Sequence, residues 1–367
     1  MDLAAEMLLR EAHAGCAGRV QALRVCPPFR RRFGRLPWLG RRAAAINADR
    51  LLNRTWDYPR YLRRRAAEFD LFHVCDHSYA QLVHALPADR TGVHCHDLDA
   101  FRCLLGPCPE PRPRWFRAVA RGILRGLQKA AVVFYSTRSV REEITAHGLL
   151  DPDRLVHAPY GVAPEFTAGP ADGEARGAAD LAGGRPFLLH VGSCIPRKRI
   201  DVLLDVFAAV RARRPDLALV QVGGQWTAPQ QAQVARLGIA PAVVQVRGLT
   251  REQLAALYRA AALVLQPSEA EGFGLPVIEA LACGAVVVAS DLPVLREVGE
   301  EAAVYCPVAD VDAWCEAVVR LLAHPDSTPP RAARLAQARR YTWAAFAHTV
   351  VENYERHLRP GIVGPSS

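Results

Sequence analysis

Short apolar runs alternate along the chain with longer segments of helical spacing. Each run is rich in branched side chains and is followed by glycine or polar residues, which is typical of buried parallel strands. The predicted strands lie at residues 70–75, 92–97, 131–135, 187–192, 217–222, 243–246, 262–265, 286–290 and 304–305. Because helical patterns fill the intervals, the sequence predicts an α/β protein with doubly wound parallel sheets.

The spacing of apolar side chains also predicts the helices. They lie at residues 1–13, 47–69, 115–129, 140–147, 200–213, 252–261, 314–322 and 343–357. Helix 47–69 is expected to break at Tyr58–Pro59, because proline interrupts helical hydrogen bonding. The basic, proline-punctuated stretch Arg24–Trp38 is expected to form a strand followed by a loop. A Rossmann-like domain opens on a strand and a glycine-rich turn, so the first strand of the N-terminal domain is predicted to be missing.

A glycine-rich turn joins the strand at 262–265 to a helix that begins near Pro276. Gly272 and Gly274 permit backbone angles and close ligand approach that other residues resist. The backbone N–H groups of residues 273–275 would therefore point out of a helix N-terminus, where an anion such as phosphate binds readily.

Two carboxylates, Glu271 and Glu279, bracket this turn. Carboxylates accept hydrogen bonds from hydroxyl groups, so the pair suits a sugar ligand whose phosphate sits at the helix N-terminus. The alternative is that Glu279 only complements the helix dipole and that Glu271 is a solvated loop residue.

Length and composition indicate two globular domains. A chain of 367 residues exceeds what one hydrophobic core usually serves. Half of its residues are hydrophobic, 23% are charged, and no apolar stretch approaches the ~18 residues needed to span a bilayer. No secretory signal is visible. The predicted domains are 1–170 and 185–342, joined by a linker at 171–184 that is rich in Gly, Ala and Asp, and the tail 360–367 is expected to be disordered.

The formal net charge of +9 lies entirely in the first domain. Residues 1–170 carry 26 Lys and Arg against 17 Asp and Glu, whereas residues 171–367 carry 20 of each. Arginine clusters at 30–32, 41–42 and 63–65 predict a surface attracted to anionic lipid headgroups or acidic acceptors. Nucleic acid is the less favoured partner. Since the chain has only two lysines, coding bias is the alternative explanation of its arginine richness.

The cysteines and histidines give no strong metal motif. Ten cysteines are scattered without Cys-x-x-Cys pairs, which predicts reduced thiols in a cytosolic protein. Cys103 with Cys108 and the run His94–His96 are candidate ligand sets without a complementary pair. Asp97 and Asp99 imitate a metal-binding motif, but no metal is expected.

The segment EGFGLPVIEA, residues 271–280, resembles the signature of the retaining glycosyltransferases of family four, in which two glutamates flank seven residues. The resemblance implies two Rossmann-like domains facing a cleft, the GT-B-type fold. It also implies that residues 1–170 form the acceptor side, that residues 185–342 bind the nucleotide sugar, and that a helix at 343–359 crosses back to the first domain. Residues 155–162 resemble the last strand of the N-terminal domain and its turn into the linker.

The resemblance further implies a donor site. Glu271 would hold hydroxyls of the donor sugar, the amides of residues 273–275 its diphosphate, and Glu279 the ribose. In the loop after residue 191, many relatives carry arginine where this chain has Ser193, so Arg197 and Lys198 are assigned the cationic role. The implied donor-binding set comprises Gly192, Ser193, Arg197, Lys198, Gly223, Arg247, Glu271, Gly272, Phe273, Gly274, Leu275 and Glu279.

On the acceptor side, CHDLDAF is similar to the family's histidine-aspartate element at a strand end. The resemblance implies that His96 approaches the reactive carbon of the donor sugar and joins Glu271, Arg197 and Lys198 in catalysis. His77 and Asp97 are assigned to the acceptor side because they follow predicted strands at their carboxyl ends, where ligands bind.

The sequence thus predicts a retaining glycosyltransferase that needs no cofactor and uses a UDP- or GDP-sugar. The acceptor would be a glycan, a lipid-linked molecule or a small molecule in polysaccharide, glycolipid or cell-surface glycan synthesis. The enzyme would be cytoplasmic, and its basic surface would allow peripheral binding to the inner face of the membrane. The alternative is a catalytically silent nucleotide-sugar-binding or partner protein, motivated by the missing strand and glycine loop. A nucleotide-sugar epimerase is less favoured, since no persuasive acid and base pair stands out.

Overall fold

The computed structural model describes residues 2–16, 18–35, 43–105, 110–169 and 181–358. The chain divides into two compact units, Met1–Pro159 with Trp343–Ser367, and Tyr160–Thr342. Most of the predicted linker, residues 171–180, and the predicted tail, residues 360–367, lie outside the described residues. None of the described helices is long and apolar enough to cross a membrane.

The first unit contains a four-stranded parallel sheet in the order β1-β2-β3-β4. Its elements are α1 Asp2–Gly15, α2 Ala43–Leu52, α3 Tyr58–Arg65, β1 Phe72–Val74, β2 Thr91–Cys95, α4 Arg114–Lys129, β3 Val132–Tyr135, α5 Arg138–Ala146 and β4 Leu155–His157. Every residue of β2 and β3 is buried, which explains why β3 is a continuous apolar run in the sequence, whereas β2 also buries the polar side chains of Thr91 and His94.

The second unit contains a six-stranded parallel sheet in the order β10-β9-β8-β5-β6-β7. Its elements are β5 Phe187–Val191, α6 Ile200–Arg213, β6 Ala218–Val222, α7 Ala228–Arg236, β7 Val243–Val246, α8 Arg251–Ala260, β8 Leu263–Gln266, α9 Leu275–Ala282, β9 Val287–Ser290, α10 Pro293–Gly299, β10 Val304–Cys306, α11 Val311–Ala323 and α12 Arg331–Arg339. The last helix, α13 Trp343–Leu358, is grouped with the first unit. The strand order reverses beside β5, and the crevice outside the carboxyl ends of β5 and β8 is where such sheets bind ligands.

The prediction of a strand within Arg24–Trp38 is wrong for its described part, residues 24–35, which contains only a 3₁₀ turn at Phe33–Arg35. In this stretch, backbone groups that would pair with a neighbouring strand instead form hydrogen bonds with side chains of α2 and of the turn that follows it. Asp49 accepts hydrogen bonds from the N–H groups of residues 32–34 at 2.8–3.0 Å. Asn53 accepts from the N–H of Arg30 and donates to its carbonyl, both at 2.7 Å.

The predicted helix break at Tyr58–Pro59 is also wrong. α2 continues through a wide π-helical turn, Asn53–Asp57, directly into α3. Pro59 directly follows this turn, in which the N–H of Tyr58 donates to the carbonyl of Asn53, five residues earlier. No strand occurs in residues 2–16, 18–35 and 43–71, so Phe72 begins the first strand that the structure describes.

Helix α4 packs closely on the 3₁₀ segment His77–Ala85, which follows β1. Gly126 permits this approach. A Cβ atom on that residue would lie 2.0 Å from the carbonyl oxygen of Ala80, a distance that only backbone movement could relieve. Four residues earlier on the same helix, a Cβ atom on Gly122 would meet nothing within 4 Å.

The two glycines of α4 therefore make a matched pair for a stability test. We expect Gly126→Ala to lower the free energy of unfolding by about 3 kcal/mol or more through overpacking. Gly122→Ala should raise it by about 1 kcal/mol through helix propensity alone. Urea unfolding of both variants measures the difference. Effects of the same sign would contradict the close packing of α4 on His77–Ala85.

Candidate functional site

The carboxyl ends of β5 and β8 carry the loops that the sequence singled out. The loop after β5 contains the 3₁₀ turn Pro196–Lys198, and the loop after β8 leads through the glycine turn into α9. The two loops are joined through their main chains, because the N–H of Glu269 donates to the carbonyl of Arg197 at 2.9 Å.

Glu271 is the centre of this region. Its side chain is only 5% exposed. One carboxylate oxygen accepts hydrogen bonds from Lys198 Nζ at 2.5 Å, Ser268 Oγ at 2.7 Å and Gln266 Nε2 at 2.8 Å, and the other from Arg197 at 3.3 Å. Burial opposes ionisation, but the charge and hydrogen bond of Lys198 and the two neutral donors outweigh it and hold the pKa of Glu271 below its ordinary value.

The three consecutive cations of the β5 loop differ in their partners. Lys198 is buried against Glu271, and Arg197 contacts the same carboxylate while its side chain stays 29% exposed. Arg199 instead pairs with Asp201 at 2.8 Å and Glu269 at 3.2 Å. Only the first two cations therefore contact Glu271.

The turn before α9 is shaped by Gly274 and anchored by Phe273. Gly274 has a φ of +95°, and a Cβ atom there would lie 2.8 Å from the side chain of Leu295. The ring of Phe273 is buried and makes edge contacts with the rings of Tyr160 and Tyr341. These contacts fix the first turn of α9, so its N-terminal partial positive charge lies in the loop that carries Glu271.

Glu279 lies inside α9 and is buried. It accepts a hydrogen bond at 3.0 Å from the hydroxyl of Tyr258, which belongs to α8. Burial raises the pKa of Glu279 to about 7, although the Tyr258 hydrogen bond and the charge of Arg251 oppose the rise. Sequence reasoning missed Tyr258, because its apolar neighbours in α8 give it the pattern of an ordinary core residue.

The remaining residues of the predicted donor set lie at the ends of β5, β6 and β7. The N–H of Gly192 donates to Val222 at 2.9 Å, and the N–H of Gly223 donates to Val246 at 3.0 Å. Ser193 is exposed. Arg247 is exposed and donates to Gln225 at 3.3 Å. Adjacent strands thus bring the predicted residues of this unit to one edge of the sheet.

In the first unit, His77 and His96 follow β1 and β2. The N–H of His96 donates to His77 Nδ1 at 3.3 Å, and His77 Nε2 lies 3.5 Å from a carboxylate oxygen of Asp97. Burial lowers the pKa of both histidines to about 4, although nearby carboxylates oppose the effect. Both imidazoles are therefore neutral near pH 7, able to make hydrogen bonds but not to attract an anion by charge.

Asp76, His77 and His96 form the one group of three or more metal-capable side chains found among the described residues, with ligand atoms within 4.8 Å of one another. Both oxygens of Asp76 already accept hydrogen bonds from Ser78 at 2.8 Å, which caps the 3₁₀ segment. Of the other candidate ligand sets, Cys108 lies outside the described residues. Asp99 forms an ion pair with Arg102 at 2.7 Å.

The high pKa of Glu279 gives a test by pH. Between the ordinary value of 4.5 and about 7, the folded protein keeps a proton that the unfolded chain releases. This carboxyl therefore lowers the free energy of unfolding as the pH rises through that window, by about 3 kcal/mol in total. Glu279→Gln, which can still accept the Tyr258 hydroxyl, should remove this decline. Urea unfolding at pH 5 and pH 8 measures the decline in the free energy of unfolding. Glu301→Gln is the control, because Glu301 is an exposed carboxylate. Parallel pH dependence of wild type and Glu279→Gln would contradict the assignment.

Solved structures share the fold of this chain. Sucrose-phosphate synthase from Thermosynechococcus elongatus superimposes with a TM-score of 0.65 at 23% identity, covering 85% of this chain and 76% of that one. Alr3699/HepE from Anabaena, solved in complex with UDP and glucose, gives a TM-score of 0.68 at 18% identity and covers 82% of each chain. These likenesses establish the GT-B-type fold with two parallel-sheet domains.

Sequence comparisons establish the family. The family described as "Glycosyl transferases group 1" matches residues 172–341. D-inositol 3-phosphate glycosyltransferase of Segniliparus rotundus is 31% identical over an alignment of 316 positions, and the match covers 80% of this chain and 68% of that protein. The serotype-specific mannosyltransferase WbdA of Escherichia coli is 27% identical over 75% of this chain, but the match covers 35% of WbdA. The protein therefore belongs to the group 1 glycosyltransferases, enzymes of the family four type that its glutamate motif resembles.

Proposed function

We propose that the protein transfers a sugar from a UDP- or GDP-sugar to a hydroxyl group of its acceptor, with retention of the anomeric configuration. The observation that carries this proposal is the buried cluster of Glu271 with Lys198 and Arg197 at the point where the strand order of the second sheet reverses. Such a cluster joins a carboxylate that accepts hydroxyl hydrogen bonds to cations that attract a diphosphate.

In the proposed donor complex, the diphosphate contacts Arg197, Lys198 and the backbone N–H groups of residues 273–275. When the bond between the sugar and the diphosphate breaks, negative charge grows on the departing diphosphate. Preorganised cations and helix dipoles stabilise that charge most in a water-poor site. The same positive groups take the role that a metal ion plays in other sugar transferases, so the mechanism needs none.

The other donor contacts follow from the positions of the side chains. Glu271 accepts hydroxyls of the sugar, for which its low pKa keeps it ionised. Glu279 accepts a ribose hydroxyl, and the neighbouring Tyr258 hydroxyl orients its carboxyl group. The backbone of Gly192 and Gly223 and the small side chain of Ser193 would contact the nucleotide. Arg247 would contact its base.

We assign the neutral histidines of the first unit to the reacting sugar and the acceptor. His96 would hydrogen-bond the sugar near its reactive carbon, and His77 with Asp97 would hold the acceptor hydroxyl. A relative named for D-inositol 3-phosphate supports a small-molecule acceptor. Relatives named for mannosyl and phosphatidylinositol monomannoside transfer support an acceptor in polysaccharide, glycolipid or cell-surface glycan synthesis. One of them is named as GDP-mannose-dependent, which keeps GDP-mannose among the donors to be tested.

Two substitutions in the cluster test the proposal. Lys198→Ala and Glu271→Gln should each lower turnover by about 100-fold or more, since each removes a preorganised charge from the site. Arg199→Ala is the matched control, because Arg199 is adjacent in the chain but pairs with Asp201 and Glu269 instead. Release of nucleoside diphosphate from UDP- and GDP-sugars, with and without an acceptor extract, measures turnover.

The outcomes of this assay separate the possible functions. Unchanged rates in both cluster variants would refute the assigned roles. Wild-type protein that binds a nucleotide sugar but never turns it over with any acceptor would favour the silent binding protein. Thermal unfolding of each variant checks that a lost rate does not reflect a lost fold.

We also propose that the first unit docks on an anionic membrane surface, on the inner face of the cytoplasmic membrane. The helix formed by α2, the π turn and α3 exposes Leu51, Leu52 and Trp56, the last with 58% of its surface accessible. Exposed arginines lie on the same helix and on the adjoining loop, namely Arg30, Arg31, Arg50, Arg60, Arg63 and Arg64. Apolar side chains beside arginines suit insertion among acidic headgroups. The clamp of Asp49 and Asn53 on the loop supports this proposal, because it holds Phe29 and Phe33 exposed beside α2.

Vesicle binding tests this surface. The double variant Leu52→Ala with Trp56→Ala should bind vesicles of phosphatidylcholine and phosphatidylglycerol at least about tenfold more weakly than wild type, since it removes the apolar area that would enter the bilayer. Val308→Ala, at an exposed apolar side chain of the second unit, is the control. Cosedimentation at low and high salt measures binding, which salt should weaken. Equal binding to vesicles of phosphatidylcholine alone would rule out the anionic surface.

A further inference from the structure

A fully buried glutamine lies beneath the glycine turns that end β5 and β6. Gln221 belongs to β6 and has no exposed surface. Its Nε2 donates to the carbonyls of Gly223 at 2.6 Å, Gly192 at 2.9 Å and Val222 at 3.1 Å. Its Oε1 accepts from Gln245 Nε2 at 2.7 Å. A buried amide is costly unless hydrogen-bonded, and both ends of this one are satisfied.

The direction of the Gln221 amide is fixed by its partners. The atoms around its nitrogen are carbonyl oxygens, which can only accept, whereas the amide nitrogen of Gln245 donates to its oxygen. Rotating the amide by half a turn would set oxygen against oxygen. The side chain thus holds the carbonyls of Gly192 and Gly223 at one nitrogen atom and thereby couples the two turns.

The Gly192 turn leads directly into the loop that carries Arg197 and Lys198. Neighbouring elements hold this loop along its length. A Cβ atom on Gly224 would lie 2.6 Å from the backbone nitrogen of Cys194, so the β6 turn packs on the β5 loop with no space between them. From α7, Gln230 donates to the carbonyl of Cys194 at 3.3 Å. The loop therefore takes its position from side chains and turns outside it.

We propose that Gln221 is a positioning residue of the donor site: by tying the Gly192 turn to the Gly223 turn, it sets where Arg197 and Lys198 meet the diphosphate. This inference rests on the proposed function for the identity of the ligand. Gln221 touches neither the diphosphate nor the sugar. It acts through the β5 loop, and the amide of Gln245 keeps it in the required direction.

Another position in the second unit offers a matched control. Gln337 in α12 is also buried and also donates to a backbone carbonyl, that of Val298, at 2.9 Å. Neither Gln337 nor Val298 belongs to the loops at the ends of β5, β6, β7 and β8. Gln221→Leu and Gln337→Leu each remove one buried amide, so a general loss of stability should appear in both variants. A displaced β5 loop should appear only in Gln221→Leu.

The first experiment is calorimetric titration with UDP and with GDP. We expect Gln221→Leu to raise the Kd of the bound nucleotide at least tenfold and Gln337→Leu to leave it within twofold. Gln221→Glu keeps the shape but loses the donor while the carboxyl is ionised. The ratio of its Kd to that of wild type should therefore be high at pH 8. This ratio should fall as the pH is lowered, because a protonated carboxyl can again donate a hydrogen bond to a carbonyl. Equal Kd values in wild type, Gln221→Leu and Gln337→Leu would overturn the inference.

A second readout does not depend on the ligand. Hydrogen–deuterium exchange of the ligand-free protein should be faster in residues 192–199 of Gln221→Leu and unchanged there in Gln337→Leu. Unchanged exchange in Gln221→Leu would overturn the positioning role whatever the titration gives. If wild type binds neither UDP nor GDP, the proposed donor chemistry fails, while faster exchange in Gln221→Leu would still support the role of Gln221 in holding the loop.

Discussion

The ionised carboxylate of Glu271 constrains everything around it, because a buried charge is tolerated only when opposite charge and hydrogen-bond donors surround it. Its donors come from both sides of the point where the strand order reverses: Arg197 and Lys198 from the loop after β5, and Gln266 and Ser268 from the end of β8. The ion pair thus sets the position of one loop against the other. Removing Glu271 would leave the buried Lys198 without its carboxylate, and removing Lys198 would leave Glu271 with only the partly exposed Arg197 as a cationic partner.

The two glutamates of the motif show how environment gives one residue type two chemical states. Glu271 faces a cation and keeps a low pKa, whereas Glu279, eight residues later, faces the neutral hydroxyl of Tyr258 and has a pKa near 7. Neither value follows from the spacing of the glutamates. Burial raises the pKa of both carboxyl groups: at Glu271 the charge of Lys198 and the hydrogen bonds around it outweigh burial, whereas at Glu279 the Tyr258 hydrogen bond and the charge of Arg251 offset it only in part.

The same distinction decides what the sequence could predict. Most buried strands leave apolar runs, and the glycine turn before α9 leaves a clear signal, so the order of strands and helices along the chain and the position of that turn could be predicted locally. The conformation of residues 30–34 could not, since backbone groups of this stretch bond to Asp49 and Asn53, side chains more than a dozen residues away. The role of Gln221 was missed for the same reason: the carbonyl of Gly192, after β5, and the amide of Gln245, in β7, are more than twenty residues away along the chain.

The net charge of each part of the chain differs from the charge at the candidate site within it. The formal excess of positive charge belongs to residues 1–170, yet the buried histidines of that unit, His77 and His96, are neutral near pH 7 because burial lowers their pKa values to about 4. Residues 171–367 carry equal numbers of positive and negative side chains, yet the second unit places Lys198 and Arg197 beside its buried carboxylate. Net charge therefore describes the exterior, where it acts over a distance on charged partners. The proposed binding of an anionic substrate depends instead on the buried Lys198 and the partly exposed Arg197, whose loop neighbouring strands position.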